Sequence, residues 1–137
     1  MKKTNNKGFS LVELIVVIAI MAVLVGVLAP QFLKYVERSR ESTDVQNAQA
    51  VITAIQTAAA DETLGVDDGT VAFTGTKQTA AAAASTDKLD AALASAGITS
   101  IQSKSTKYAT FTITVTITDG VPSFTTNVTD LSTQLGL

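Results

Sequence analysis

The chain has 137 residues, 46% of them hydrophobic, with 10 Lys+Arg against 12 Asp+Glu and a formal net charge of −2. That length fits one domain with a modest core and excludes a large multidomain machine, and the charge gives no electrostatic reason to expect nucleic acid as a partner. With no Cys and no His, a disulfide framework, a thiolate zinc site and a Cys nucleophile are excluded, and the commonest metal ligand and general base are missing.

The first element is an apolar segment. Residues Leu14 to Ala29 carry no charged or strongly polar side chain, and extension back to Phe9 adds only Ser10 and Glu13 as polar positions. As a helix, Phe9–Ala29 would be roughly 31 Å long at ~1.5 Å per residue, which matches the ~30 Å hydrocarbon thickness of a bilayer. Lys2, Lys3 and Lys7 precede it without an acid, so the positive-inside rule leaves that end in the cytoplasm and sends everything after Pro30 outward. A secretory signal peptide has a shorter apolar stretch and a small-residue cleavage site. Here the stretch is longer, and Pro30 follows Ala29 where a scissile bond would stand. A plain membrane anchor leaves Glu13 to be explained: a carboxylate costs about 2.5–3.5 kcal/mol at the centre of a span, less where it can reach the headgroups.

Lys7-Gly8-Phe9-Ser10-Leu11-Val12-Glu13-Leu14, continuing through Ile20, resembles the N-terminal signature of type IV pilins and pseudopilins. The resemblance covers about residues 1–40. It implies a leader, residues 1–8, cut between Gly8 and Phe9, N-methylation of Phe9, and retention of the apolar segment, with Glu13 fifth in the mature chain. It also implies a prepilin peptidase, an inner-membrane assembly platform and further copies of the chain as partners, with the membrane as host before assembly. Cofactors, metals and catalytic residues are not expected. Cutting after Gly8 removes three lysines and leaves 129 residues with seven basic and twelve acidic side chains, a formal net charge of −5.

The chemistry of that cut stands beside the resemblance. It creates an α-amino group at Phe9, with a reference pKa of about 7.7–8.0, and methylation keeps its charge. A cation and an anion then share one end of an apolar helix. Each is costly in hydrocarbon alone and much less so as a pair. With an axial offset of a few residues, Glu13 of one copy meets the Phe9 amine of the next. Such head-to-tail contacts do not close, so they build a helical filament.

Helical periodicity continues through Phe32, Tyr35/Val36, Val45, Ala48, Val51/Ile52, Ile55 and Ala58/Ala59, with looser spacing between Val36 and Val45. The expectation is one long interrupted helix from about Phe9 to Asp61, with Gly26 and Pro30 as the kink positions. The charges between Lys34 and Asp44 read as a solvated face. Leu64 to Gly75 reads as loop with a short strand near Val71–Thr74, and Asp67-Asp68 as a turn short of a calcium loop. Ala80–Ala84 is helix-prone. Ser85 or Thr86 can cap a helix burying Leu89, Ala92, Leu93 and Ala96, ended by Gly97.

Ala109 to Thr118 alternates strictly, with Ala109, Phe111, Ile113, Val115 and Ile117 inward and five threonines outward. Asp119-Gly120 is a two-residue hairpin signal. It sets Thr118 opposite Val121, Ile117 opposite Pro122, Val115 opposite Phe124, Ile113 opposite Thr126 and Phe111 opposite Val128, with Pro122 on an edge. Leu131, Leu135 and Leu137 are candidates to pin the tail. Asn127-Val128-Thr129 matches an N-glycosylation acceptor pattern, read here as chance in a Thr-rich chain.

The expected fold is α+β: a long N-terminal helix, apolar in its first half, whose amphipathic second half packs on a small antiparallel sheet. The expected divisions are a leader 1–8, a transmembrane and polymerisation helix 9–30, and a globular head 31–137. The resemblance implies a structural subunit of a surface filament supporting adhesion or motility, first held in the cytoplasmic membrane and then extracellular. A pseudopilin of a secretion or DNA-uptake system and a monomeric membrane-anchored binding module are the rival readings.

Overall fold

The structure, a computed structural model, describes residues 8–61, 66, 67, 69–74, 78, 79, 87–98 and 100–137. In chain order these form α1 (Leu11–Ala59), β1 (Gly69–Thr74), β2 (Gln78–Thr79), α2 (Asp87–Ser95), β3 (Ser100–Ile101), β4 (Thr110–Thr118), β5 (Val121–Thr126) and α3 (Thr129–Leu135). The fold is α+β. It divides into two compact units, Met1–Val36 and Glu37–Leu137, with the division falling inside α1. The leader up to Lys7, the Ala80–Ala84 stretch and the caps Ser85 and Thr86 lie outside the described residues.

The second unit holds the core. From Asp44 onward α1 buries Ala48, Val51, Ile52, Ala54, Ile55 and Ala58, a spacing of three and four that keeps one face of a helix toward a partner. That face meets Phe111, Ile113 and Val115 of β4, Leu89 and Leu93 of α2, Tyr108 and Leu131. The sheet order is β1-β4-β5, all antiparallel, with β2 and β3 forming a separate pair. β4 is central because its inward residues are apolar while its outward threonines suit a half-solvated pleat. Ala109, expected inward, precedes the strand and is exposed.

The β4–β5 register runs from Thr118↔Val121 through Val115↔Phe124 to Ile113↔Thr126. Asp119 (φ 53°) and Gly120 (φ 78°) both take positive φ, the condition of a type I′ turn, whose twist matches that of the flanking strands. Pro122 sits on the edge strand β5, where a missing N–H breaks no ladder bond. The expected Phe111–Val128 pair does not form. The Asn127 side chain accepts the Thr112 N–H at 2.8 Å, taking the place of a ladder carbonyl, and the chain leaves the sheet for α3. Phe111 pairs instead with Phe73 of β1.

α2 ends in a Schellman motif. Gly97 takes φ 77°, its N–H reaches the Ala94 carbonyl, and the Ile98 N–H reaches that of Leu93, both at 2.9 Å. Leu89, Ala92 and Leu93 are buried, but Ala96 lies past the helix and is exposed. The tail forms the short helix α3, in which Leu131 is buried and Leu135 partly so, while Leu137 beyond it is 40% exposed and does not pin the end.

The mixed-charge stretch of α1 is where the structure departs most from expectation. Asp44 is 1% exposed, in line with the core face rather than on a solvated one. Its Oδ1 accepts the Lys104 N–H (2.8 Å), and its Oδ2 accepts the Ser105 N–H (2.8 Å) and the hydroxyls of Ser105 (2.6 Å) and Ser103 (3.3 Å). Two turns earlier, Glu37 accepts the Thr106 N–H. The loop before β4 thus presents three successive backbone N–H groups to two carboxylates of α1, and two of those donors serve the buried Asp44. The Thr106 N–H, opposed by partial desolvation and helped by Arg40, holds the Glu37 carboxyl below its ordinary value of 4.5.

Asp44→Ala strands these donors and should cost about 2–4 kcal/mol, read from urea unfolding of the full chain in detergent, with Asp44→Asn costing less because one acceptor oxygen remains. Because the Glu37 pKa is depressed by folding, its contribution is complete above pH 4.5 and fades as the pH falls through the lower folded value. The stability gap between the native chain and Glu37→Gln should therefore close on acidification.

Candidate processing and assembly segment

Gly8, Phe9 and Ser10 precede α1 and are exposed, with Phe9 at 94%. The peptide between Gly8 and Phe9 is thus accessible backbone outside the helix. With Leu11 as the first helical residue, Ser10 is the N-cap and Glu13 stands at the third position. The Glu13 Oε2 accepts the Ser10 N–H at 2.8 Å, and the Leu14 N–H opens the helical ladder onto the Ser10 carbonyl at 3.2 Å. This is the glutamate half of a capping box. A carboxylate in the first turn also faces the positive end of the helix dipole.

Within one copy, therefore, Glu13 is engaged with Ser10 and not with Phe9. Sequence reasoning named Glu13 and Phe9 but missed Ser10. The signal was present: Ser10-Leu11-Val12-Glu13 is the S-x-x-E pattern that precedes an apolar helix.

The apolar segment has no inner face within its own unit. Eighteen large apolar side chains from Phe9 to Tyr35 are exposed, none of them less than 47%. At about 1.5–3 kcal/mol for each such side chain fully removed from water, the surface represents tens of kcal/mol of unrealised burial. α1 is long and apolar enough to cross a membrane. Gly26 and Pro30 both lie inside the helix, which continues across them rather than breaking there. Pro30 has no N–H to give the carbonyl four residues back, which is that of Gly26. A Cβ at Gly26 would meet nothing within 4 Å, so no close approach of a neighbouring side chain demands glycine there. Among the described residues no group of three or more Asp or Glu side chains could hold a metal ion.

Residues 3–29 match the family described as the prokaryotic N-terminal methylation motif. The chain is 40% identical over 50 residues to the type IV major pilin protein PilA of Myxococcus xanthus, a match covering 36% of this chain and 23% of that protein. It is 37% identical over 65 residues to a type IV major fimbrial protein FimA of Dichelobacter nodosus, covering 47% and 42%. It is 33% identical over 63 residues to prepilin peptidase-dependent protein A of Clostridium perfringens, covering 46% and 45%. The matches thus span less than half the length of each of these relatives. No solved structure matches the chain.

Glu13→Ala should expose the Ser10 amide and fray the first turn by about 0.5–1 kcal/mol, whereas Glu13→Gln keeps an acceptor oxygen and should spare it. Hydrogen exchange at Ser10 in detergent micelles separates the two variants.

Proposed function

We propose that the chain is a structural subunit, not an enzyme, of a type IV pilus-like filament, made as a membrane-held precursor, cut between Gly8 and Phe9, N-methylated at Phe9 and polymerised through its N-terminal helix. In this reading residues 1–8 are the leader, 9–30 the transmembrane and polymerisation helix and 31–137 the head. The observation that carries the proposal is the methylation motif at residues 3–29 standing on a helix whose apolar side chains are exposed all round. Such a helix is stable in lipid, and equally among copies of itself, where close packing replaces acyl chains. The names of the relatives point the same way for those proteins.

Glu13 and the Phe9 amine of a neighbouring copy supply the register. An ion pair between copies in a water-poor core rewards one axial offset over others, because a carboxylate or an ammonium left alone there is strongly unfavourable. The uncut form keeps three lysines on the cytoplasmic side, which resist extraction from the membrane, so cleavage licenses assembly. A peptidase and an assembly platform in the inner membrane are the partners this reading requires, and adhesion or surface motility is the role it assigns to the filament.

Cells producing the chain, when sheared, should release it as filaments whose N-terminal sequence begins at Phe9. Assembled material beginning at Met1 overturns the processing step, and a short cell-bound pseudopilus would release little protein. Glu13→Gln should insert in the membrane normally and keep its helix start, yet give at least tenfold less sheared filament. Normal yield from that variant would remove the charge pair from the assembly argument.

A further inference from the structure

We propose that Lys107 is a tie that closes the C-terminal segment of the head, joining α3 to α1 in a chain that has no cysteine to make the closure covalent. The Lys107 Nζ lies 2.6 Å from Asp130 Oδ2 on α3 and 3.8 Å from Glu41 Oε2 on α1. It also stands 5.1 Å from the ring centroid of Tyr108, within cation–π range. The same Asp130 oxygen accepts the Tyr108 hydroxyl at 2.6 Å and the Gln134 Nε2 at 3.0 Å, and Gln134 donates to the Tyr108 oxygen at 2.9 Å. The Tyr108 ring is itself core, packed edge-on against Phe111 at 6.3 Å. One ammonium thus joins two helices and the buried aromatic pair beneath them.

The segment needs such a tie. α3 has seven residues, far below the length at which a helix holds itself in water. Its N-cap, Val128, offers no side-chain bond to the first turn, and it buries Leu131 alone completely. The arrangement is also asymmetric. Removing Asp130 leaves Lys107 with Glu41, whereas removing Lys107 takes the ammonium from both Glu41 and Asp130 and leaves Asp130 only its Tyr108 and Gln134 hydrogen bonds. Asp130 is held below its ordinary 3.8 by Lys107 and then by Tyr108, and Lys107 is held above its ordinary 10.5 chiefly by Asp130. Burial, more than Asp130, pushes the Tyr108 phenol up. By linkage the closure is complete between those two ordinary values, weakens as the pH falls below 3.8 through the folded Asp130 value, and is lost in alkali as the pH rises past 10.5 through the folded Lys107 value.

The test is amide hydrogen exchange on the full chain in detergent micelles, which does not depend on filament formation and so can fail or succeed apart from the proposed function. Lys107→Met should speed exchange of the Ser132–Leu135 amides about three- to tenfold while leaving β4 protected, and Asp130→Asn should do less. Lys107→Arg should restore protection, and the Lys107→Met/Asp130→Asn double variant should exchange no faster than Lys107→Met. Unchanged α3 exchange in Lys107→Met overturns the proposal, with Leu131→Ala as the control that shows the probe responds. A uniform loss across α3 and β4, or single-variant effects that multiply in the double variant, would overturn it as well.

Discussion

Eighteen large apolar side chains from Phe9, just before α1, to Tyr35 within it face outward, and their need to leave water governs how the rest of the chain is read. A helix that is apolar all round has no side on which to meet a water-facing core, so it requires lipid or copies of itself. In either setting the backbone must satisfy its own polar groups, because an unpaired group in hydrocarbon costs several kcal/mol. A helix does this everywhere except at its ends and at proline. The two exceptions here are therefore informative. The Ser10 N–H at the start is taken by Glu13, and the Gly26 carbonyl loses its donor where Pro30 enters.

The second part of α1 solves a different problem with the same periodicity. Glu37, Glu41 and Asp44 fall in line with Ala48, Val51/Ile52 and Ile55, so a single stripe changes from carboxylate to hydrocarbon as it passes from loop to sheet. The change follows from what docks on it. A sheet face offers side chains and takes apolar knobs. The Ser103–Tyr108 loop offers backbone N–H groups, which a carboxylate matches better than any apolar side chain. Asp44 is the pivot: buried like a core residue, and satisfied like an anion in a nest.

This explains what was legible in the sequence and what was not. Alternation in Phe111–Ile117 and the Asp119-Gly120 pair dictate a strand, a turn and a register locally, and the observed pairs from Thr118↔Val121 to Ile113↔Thr126 are those expected. The register ends where a distant choice intervenes, Asn127 capping the Thr112 N–H. The role of Asp44 rests on donors sixty residues away, and no periodicity rule assigns a charged residue to a core. Its trace was the gap in apolar spacing between Val36 and Val45. α3 was hidden for a related reason. Its sequence has little helical preference of its own, and Leu131 and Lys107, not propensity, hold it in place.

The local bond at Glu13 also bears on how assembly can proceed. If the carboxylate had to abandon Ser10 to meet a neighbour, the gain from the ion pair would be reduced by the loss of the cap, and the first turn would fray as subunits joined. Only Oε2 is engaged with Ser10, however, and a carboxylate offers about four acceptor sites on its two oxygens. Oε1 is left for an ammonium from the next copy while the capping bond stays in place. The intramolecular bond then fixes the side chain before the neighbour arrives. In the filament reading the subunit enters assembly with its charged group already oriented, so less conformational freedom is lost at the moment of contact.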